Sequence, residues 1–194
     1  LGYPGTMGVK FIDYIIADKV VIPKKNKKFF SEKLIYLPNT YYPTNDERKI
    51  SLKNYNRTTL DINNEAFVFG CFNNTYKISS KEFSIWMSLL AKINNSYLIL
   101  LVNDEITKNN LTKEIINNNQ DPSRVKFLNF INNDEHLARH QLIDLYLDTF
   151  NYNGHTSTVD ALYAGVPVVT KIGNSFTSRV CASILKAVNM SELI

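Results

Sequence analysis

From about residue 66 onward, short apolar runs alternate with amphipathic segments along the chain. The apolar runs are continuous, which is typical of strands that are buried on both faces of a parallel sheet. Each run is short enough for a strand and is followed by a polar turn. The pattern predicts five strands, at about residues 66–72, 97–102, 125–130, 145–148 and 167–170.

The segments between these runs carry apolar residues at helical spacing. The first begins with Ser79 and Glu82, which form a capping box sequence, and Phe83, Trp86 and Leu90 follow. Five β-α repeats predict an α/β fold, a doubly wound, Rossmann-like parallel sheet with helices on both faces. The predicted helices cover about residues 80–93, 106–117, 134–142, 156–164 and 177–188.

The first third of the chain has a different pattern. It holds two apolar stretches, at residues 11–17 and 34–37, and then a Tyr-, Asn- and charge-rich stretch without a clear period. We predict that residues 1–45 are the tail of a preceding domain, that 46–64 are a linker, and that 65–194 form the Rossmann-like domain. Because the chain begins with Leu1 and ends without a closing element, we expect it to be a fragment of a longer protein.

Composition excludes several classes of protein. The 194 residues are 44% hydrophobic and 21% charged, with a formal net charge of +4, which is far from the basic clustering of nucleic-acid-binding domains. There is no apolar run of membrane-spanning length and no signal peptide at the start. Cys71 and Cys181 lack partners at metal-ligand spacing. We therefore expect a reduced, cytoplasmic protein that binds neither nucleic acid nor membrane.

The most specific polar segment lies at residues 151–160, after the fourth predicted strand. Ligands of open parallel sheets bind beyond the carboxyl ends of the strands. Gly154 permits close backbone approach, and a helix that opens at His155, Thr156 and Ser157 offers unpaired amides and a positive dipole end to a diphosphate. Asp160 could accept from a ribose hydroxyl. The alternative is an ordinary Thr or Ser N-cap, and the pattern alone does not separate the two.

Three further polar residues are candidates for the same site. Lys77 follows the first predicted strand and could neutralise a leaving phosphate. His136 and Arg139 are three residues apart, share one helix face and could contact a base. Each could equally be a surface residue. The chain has no Asp-x-Asp pair and no glycine-rich nucleotide loop, so we expect no metal, with phosphate held by amides, hydroxyls and Lys77.

Several motifs in order resemble the catalytic region of O-linked N-acetylglucosamine transferases, a family related to the SPINDLY-like fucosyltransferases. The resemblance implies a GT-B fold, with residues 1–45 from the N-terminal lobe and 65–194 from the C-terminal lobe. It also implies metal-independent, inverting transfer of GlcNAc from UDP-GlcNAc to Ser or Thr of proteins, often with tetratricopeptide repeats. The motifs are LGYPGTMG (1–8), DYIIAD (13–18), SEKLIYLP (31–38), CFNNTYKI (71–78), LDT (147–149), NGHT (153–156), AGVPVVT (164–170) and SRVCAS (178–183).

The resemblance also implies roles for individual residues. Lys77 would bind the diphosphate and stabilise the leaving group, and His136 and Arg139 would stack on and bond the uracil. The other implied contacts are Asn74, His155, Thr156 and Ser157 with the phosphates, Asp160 with the ribose, and Leu1, Gly2, Tyr76 and Tyr152 with the sugar.

The chain departs from the animal members at two positions. Asn133 replaces a Lys near the nucleotide, and Tyr152 replaces a Cys against the sugar, as in bacterial-type members. The larger Tyr ring could change which hexose fits, so UDP-glucose or GDP-fucose remains an alternative donor, although His155 favours the GlcNAc branch. A non-catalytic binding or scaffold module is the other alternative. The implied catalytic base lies upstream of Leu1, so we expect this fragment alone to be inactive.

Overall fold

A computed structural model describes residues 3–194; the sugar-pocket predictions for Leu1 and Gly2 lie outside the described residues. The chain first forms a small parallel sheet from β1 (Tyr14–Ala17) and β2 (Lys33–Tyr36). These strands coincide with the two apolar stretches in the first third of the sequence. Residues 3–45 therefore contribute a pair of parallel strands.

The main sheet of the described residues has five parallel strands in the order β5-β4-β3-β6-β7. All five predicted strands are confirmed; four are a little shorter than their apolar runs, and β4 is shifted by one residue. The last is only two residues long, and the proline that precedes it cannot donate to the ladder. The strands are β3 (Phe67–Cys71), β4 (Ser96–Leu101), β5 (Val125–Leu128), β6 (Leu145–Leu147) and β7 (Val168–Val169).

Residues 3–194 contain five α-helices, of which the first four connect successive strands of the main sheet and the last follows β7. They are α1 (Ser80–Lys92), α2 (Glu105–Asn117), α3 (Asn133–Ala138), α4 (Thr156–Tyr163) and α5 (Val180–Ala187). Four are shorter than predicted: α1 and α4 only at their last residue, α3 and α5 by more. The chain after α3 tightens into a 3₁₀ turn at Arg139–Leu142. Before α5, Ser175 and Ser178 exchange hydrogen bonds in a turn, which postpones the helix to Val180.

Both faces of the main sheet are covered, as the continuous apolar strands predict. Phe69, Leu98 and Leu100 pack with the apolar residues of α1 and with Ile115 of α2. Their strand neighbours Val68 and Ile99 belong to the opposite cluster, which contains residues of α4 and α5. Alternate residues of each strand therefore enter different cores, and the α/β class of the fold is confirmed.

The capping box predicted at the start of α1 is present and has a second function. One carboxylate oxygen of Glu82 accepts the Ser79 amide at 2.5 Å, and the other accepts the Phe150 amide in the loop that follows β6. Glu82 is fully buried. This side chain therefore ties the start of α1 to the loop that precedes α4.

The order of the strands creates a crevice between two loops. The chain runs outward from β3 through β4 to β5, then returns to place β6 on the other side of β3. The loops that follow β3 and β6 consequently diverge at the carboxyl edge of the sheet, which is where open α/β sheets bind ligands. These loops contain Lys77 and residues 148–155.

Residues 3–64 pack closely on the main sheet. A third core joins Ala17, Ile22 and Tyr41 to Phe176 and Val180. Residues 46–64 also contact the main sheet and its helices. The Ser51 amide donates to the Asp134 carbonyl of α3 at 3.1 Å, and Ile62 is buried in the core between the sheet and helices α4 and α5. The predicted division at residues 45 and 64 stays a prediction.

Candidate nucleotide-binding site

An open cleft of about 490 Å³ lies at the carboxyl ends of β3 and β6. Its walls come from the loops after β3, β5 and β6, from α3 and α4, and from Tyr42 of the N-terminal segment. The lining residues are Tyr42, Phe72, Asn73, Asn74, Lys77, Leu101, Phe130, Ile131, Asn133, His136, Arg139, Tyr152, His155, Thr156, Ser157 and Asp160. The cleft therefore brings together eight of the predicted nucleotide-site residues and Tyr152.

The loop before α4 is shaped by a buried carboxylate. Asp148 accepts the Gly154 amide at 2.5 Å and the Thr170 hydroxyl at 2.6 Å, and burial raises its pKa to about 6. A Cβ on Gly154 would lie 2.7 Å from the hydroxyl oxygens of Ser157 and Thr158. Glycine is therefore required here by close packing of the turn against the first turn of α4. The sequence had instead predicted that Gly154 lets a ligand approach the backbone, and that role stays a prediction.

Asn73 connects this loop to the helix. The Ser157 hydroxyl donates to Asn73 Oδ1, while Asn73 Nδ2 donates to Thr149 Oγ1 at 2.9 Å and to Asp148 Oδ1 at 3.3 Å. Because the only proton of the Ser157 hydroxyl is used in this bond, a phosphate at this position would be met by the Ser157 amide. Asn74, which the sequence predicted, also lines the cleft, whereas the buried Asn73 beside it was not predicted.

Lys77 enters the cleft from the turn after β3. Its Nζ donates to the Asn153 carbonyl at 3.2 Å and lies 4.2 Å from the centre of the Tyr152 ring. Burial lowers its pKa, and Asp148 partly opposes that shift. No carboxylate of residues 3–194 forms an ion pair with Lys77 within 4.0 Å. Lys77 is thus a half-buried cation that can accept an anionic ligand without breaking a salt bridge.

Tyr152 and His155 form an aromatic pair beside Lys77. Their rings stack with centroids 5.1 Å apart and an interplanar angle of 21°. Burial and, to a lesser degree, Lys77 lower the pKa of His155 to about 4, so the ring is neutral near pH 7. Its Nε2 is buried and has no hydrogen-bond partner among residues 3–194. An atom in this state can bind a ligand group at little cost in lost contacts.

His136 and Arg139 interact directly, in agreement with their predicted place on one helix face. Arg139 Nε donates to His136 Nδ1 at 3.0 Å, and Arg139 Nη1 donates to the Asn129 carbonyl at 2.6 Å. Burial lowers the pKa of His136 to about 3, so its neutral ring carries the proton on Nε2. The Arg139 guanidinium also lies 5.2 Å from the Phe72 ring centre. Arg139 therefore fixes the tautomer and orientation of His136.

His140 is a buried residue that the sequence analysis missed. Its Nδ1 lies 2.8 Å from the His136 carbonyl, its ring packs edge-on against Phe72, and burial lowers its pKa to about 4. The sequence signal was its place four residues after His136, on the same side of a short helix. His140 therefore packs against His136 and Phe72, which line the cleft, and helps to hold their rings in place.

Asp160 lines the cleft and is paired with Arg48, a residue that the sequence analysis placed in a linker. Arg48 Nη1 contacts Asp160 Oδ1, and the guanidinium lies 4.5 Å from the Tyr163 ring centre. The Tyr163 hydroxyl donates to the Arg48 carbonyl at 2.9 Å. Arg48 is 112 positions from Asp160, in a segment without periodicity, so no local pattern could reveal the pair.

Replacing Arg48 with Met is expected to lower the free energy of unfolding by about 2 to 3 kcal/mol, because it leaves the largely buried Asp160 carboxylate without its cation. The side chains are 13% and 7% exposed. Chemical denaturation followed by circular dichroism measures the change.

A matched control is Lys53→Met, which removes an ion pair with Glu135 whose side chains are 55% and 33% exposed. Because solvent screens this exposed pair, its loss should cost much less than the loss of Arg48. Adding Asp160→Asn to Arg48→Met should recover much of the lost stability. Equal losses for the two single variants would contradict the assignment of Arg48 as the partner of a buried charge.

One residue predicted for the sugar pocket and one polar turn at a strand end lie outside the cleft. Tyr76, predicted to contact the sugar, is 74% exposed and is not part of the cleft lining, so its role stays a prediction. The turn after β7 lines a separate cavity that contains Lys171 and Ser175. Asn133, the position at which animal members of the resembling family have Lys, does line the cleft.

Within residues 3–194, no group of three or more His, Cys, Asp or Glu side chains could hold a metal ion. In the same part of the chain, no helix is long and apolar enough to span a membrane.

The parallel sheet with helices on both faces and a cleft at its carboxyl edge is a Rossmann-like arrangement, and superposition on a solved O-GlcNAc transferase identifies the chain as part of a GT-B glycosyltransferase catalytic region. It superposes on a mutant O-GlcNAc transferase from Thermobaculum terrenum with a TM-score of 0.86 and 27% identity, which covers 100% of this chain and 36% of that one. Residues 1–56 and 43–194 match glycosyl transferase family 41. The chain belongs to that family.

Curated relatives agree over the whole chain. It is 31% identical, over 99% of its length, to the probable UDP-N-acetylglucosamine–peptide N-acetylglucosaminyltransferase SEC of Arabidopsis thaliana. It is 33% identical, over 100% of its length, to the corresponding SPINDLY protein of Oryza sativa subsp. japonica. The chain spans about a fifth of these relatives, since it covers 20% of the first and 21% of the second.

Proposed function

We propose that the complete protein transfers GlcNAc from UDP-GlcNAc to Ser or Thr hydroxyls of acceptor proteins, and that this chain supplies the UDP-binding side of the active site. The names of the relatives support the donor and the peptide acceptor. The rest of the N-terminal lobe, tetratricopeptide repeats and the catalytic base would lie in other parts of the complete protein. Cys71 and Cys181 are free, buried thiols, which is consistent with a cytoplasmic location.

One observation carries the proposal: Lys77 and the first turn of α4 line the same cleft, and Lys77 has no carboxylate partner among the described residues. The unpaired amides at the start of α4 and the positive end of its dipole favour a diphosphate. An unpaired cation beside them favours the same ligand. As the bond from the sugar to the phosphate breaks, Lys77 would stabilise the negative charge that develops on the leaving UDP.

The other end of the cleft suits a uridine. Phe72 and His136 present ring surfaces, and the Nε2–H of His136 is a donor whose orientation Arg139 fixes. Asp160 gives one oxygen to Arg48, and its second oxygen makes no hydrogen bond to residues 3–194, so it can accept from a ribose hydroxyl. The base, ribose and phosphate groups would then follow one another from α3 to the start of α4.

We further propose that no divalent metal assists this site. Asp160 is the single carboxylate residue of the cleft lining in residues 3–194, and it is already paired with Arg48. Mg²⁺ needs oxygen ligands, usually carboxylates together with the phosphates. Lys77 and the α4 amides would supply the positive charge that a metal gives in other transferases.

Titration of the full-length protein by calorimetry tests the nucleotide part of the proposal. We expect UDP to bind at least 10-fold more tightly than uridine, because the phosphate contacts are worth at least 1.4 kcal/mol, and UDP binding should be unchanged in EDTA. GDP should bind more weakly than UDP because its larger base would have to fit against the wall that the packed rings of Phe72 and His136 form. Absence of UDP binding would refute the proposal.

A donor panel of UDP-GlcNAc, UDP-glucose and GDP-fucose, read by the mass shift of an acceptor protein, tests the sugar. Transfer from UDP-GlcNAc supports the proposed activity. Transfer from UDP-glucose or GDP-fucose alone would assign the other donor, for which the Tyr152 ring beside Lys77 would be the structural reason. UDP binding without transfer from any donor would favour a scaffold module.

A further inference from the structure

Tyr42 reaches the candidate site from the N-terminal segment. Its hydroxyl lies 2.6 Å from Thr156 Oγ1, at the first residue of α4, and its ring packs edge-on to His155 with centroids 6.1 Å apart. Tyr42 also lines the cleft. It is 114 positions from Thr156 in the sequence, so it contributes a second hydroxyl to the start of α4 from outside the Rossmann-like fold.

The segment that carries Tyr42 is held firmly. The Tyr41 amide donates to Asp18 Oδ2 at 3.0 Å, and the Ser183 hydroxyl of α5 donates to the same oxygen at 2.6 Å. Ser183 Oγ also lies 2.9 Å from Thr40 Oγ1. The Tyr41 ring packs edge-on to Phe176 at 5.0 Å. The position of the Tyr42 hydroxyl is therefore set by buried contacts on α5 rather than by a mobile surface loop.

The hydroxyl pair of Tyr42 and Thr156 has one proton available for a ligand. Tyr42 and Thr156 each carry one O–H, and the single hydrogen bond between them uses one of the two protons. Neither hydroxyl makes another hydrogen bond to residues 3–194. One O–H is left as a donor in the cleft, beside the unpaired amides of α4 and near the His155 ring. Donors of this kind, gathered at a helix N-terminus, suit an oxyanion.

We propose that Tyr42 is a binding residue for the diphosphate, with its hydroxyl, directly or through Thr156, donating to a non-bridging phosphate oxygen. This inference rests on the proposed function, because it deepens the UDP site. Tyr42 would act on the phosphates alone. It lies at the α4 end of the cleft, whereas the uridine contacts lie at the Phe72 and His136 end.

The test compares Tyr42→Phe with Tyr41→Phe in the full-length protein, each titrated with UDP and with uridine by calorimetry. Tyr41→Phe is the matched control, because it makes the same change at the neighbouring residue, and Tyr41 lines a different cavity. We expect Tyr42→Phe to weaken UDP binding by about 10- to 100-fold, as the loss of a hydrogen bond to a charged group does, and to leave uridine binding unchanged. Tyr41→Phe should bind both ligands like the unchanged protein.

The outcomes separate this inference from the proposed function. If the unchanged protein binds UDP and Tyr42→Phe binds it equally well, the Tyr42 inference is overturned and the proposed function stands. If Tyr42→Phe weakens UDP and uridine by the same factor, Tyr42 does not act on the phosphates, and the inference is again overturned. If the unchanged protein does not bind UDP, the proposed function falls, and the Tyr42 inference falls with it.

Discussion

Replacing Lys77 with Met in the full-length protein is expected to lower the turnover of sugar transfer by two to three orders of magnitude, roughly the effect of removing one preorganised charge-stabilising group. Lys77 is half-buried, and its Nζ is held by the Asn153 carbonyl at 3.2 Å and by the Tyr152 ring. Because no carboxylate of residues 3–194 neutralises it, its charge is available to the leaving phosphate. Met keeps the length and apolar character of the side chain.

The measurement is steady-state kinetics with UDP-GlcNAc and an acceptor protein, together with UDP affinity by calorimetry. An interaction that strengthens in the transition state lowers kcat more than it weakens ground-state binding. We therefore expect UDP affinity to fall by no more than about 10-fold. Lys81→Met is the matched control, because Lys81 lies four residues further on and lines a separate cavity. Turnover within a few-fold of the unchanged protein would exclude Lys77 as the leaving-group cation.

The alternation of apolar and polar segments was sufficient to predict the sheet and much of the site. Continuous apolar runs identified every strand of the main sheet, because strands buried on both faces leave no polar positions. Lys77 and Gly154 could be chosen since ligand-binding residues of such sheets follow the strand ends. The capping box at Ser79 and Glu82 could be predicted because its two partners lie three residues apart, within one turn of helix.

The contributions of residues 39–64 to the candidate site were not predictable. Tyr42 and Arg48 find their partners on α4 more than 110 positions away, at 114 and 112 residues. Their segment has no period, since it is held by individual long-range hydrogen bonds rather than by a repeating face. The sequence could not distinguish Asn73 from Asn74 either, because both follow β3. The structure shows that only Asn73 is buried and hydrogen-bonded to Asp148.

Asp148 provides the second large expected effect. Replacing it with Ala is expected to lower the free energy of unfolding by about 4 kcal/mol, because three buried donors lose their acceptor at about 1 to 3 kcal/mol each. These donors are the Gly154 amide, the Thr170 hydroxyl and Asn73 Nδ2. UDP affinity should fall by more than 10-fold, since Gly154 would no longer be held at the start of α4. Urea denaturation and calorimetry measure the two effects.

Asp148→Asn keeps the shape of the side chain but removes its negative charge, so it tests the two contributions separately. The amide oxygen can still accept from Gly154 and Asn73, and the Thr170 hydroxyl can turn to accept from the amide nitrogen. Burial raises the pKa of Asp148 to about 6, above its ordinary 3.8, so this group contributes stability that is present below pH 3.8 and is lost as the pH rises through 6. Asn has no such dependence. The free energy of unfolding of Asp148→Asn should therefore rise relative to the unchanged protein, by about 2 kcal/mol, between pH 4 and pH 7.

The control for both variants is Asp134→Ala, which removes an exposed carboxylate in the first turn of α3 and should cost less than about 1 kcal/mol. If Asp148→Ala were as stable as this control, Asp148 would not organise the loop before α4. If the stability of Asp148→Asn instead fell relative to the unchanged protein as the pH rose, the carboxylate would be stabilised in its ionised form. The loop would then depend on the negative charge of Asp148, and a phosphate bound at the start of α4 would have to compete with it.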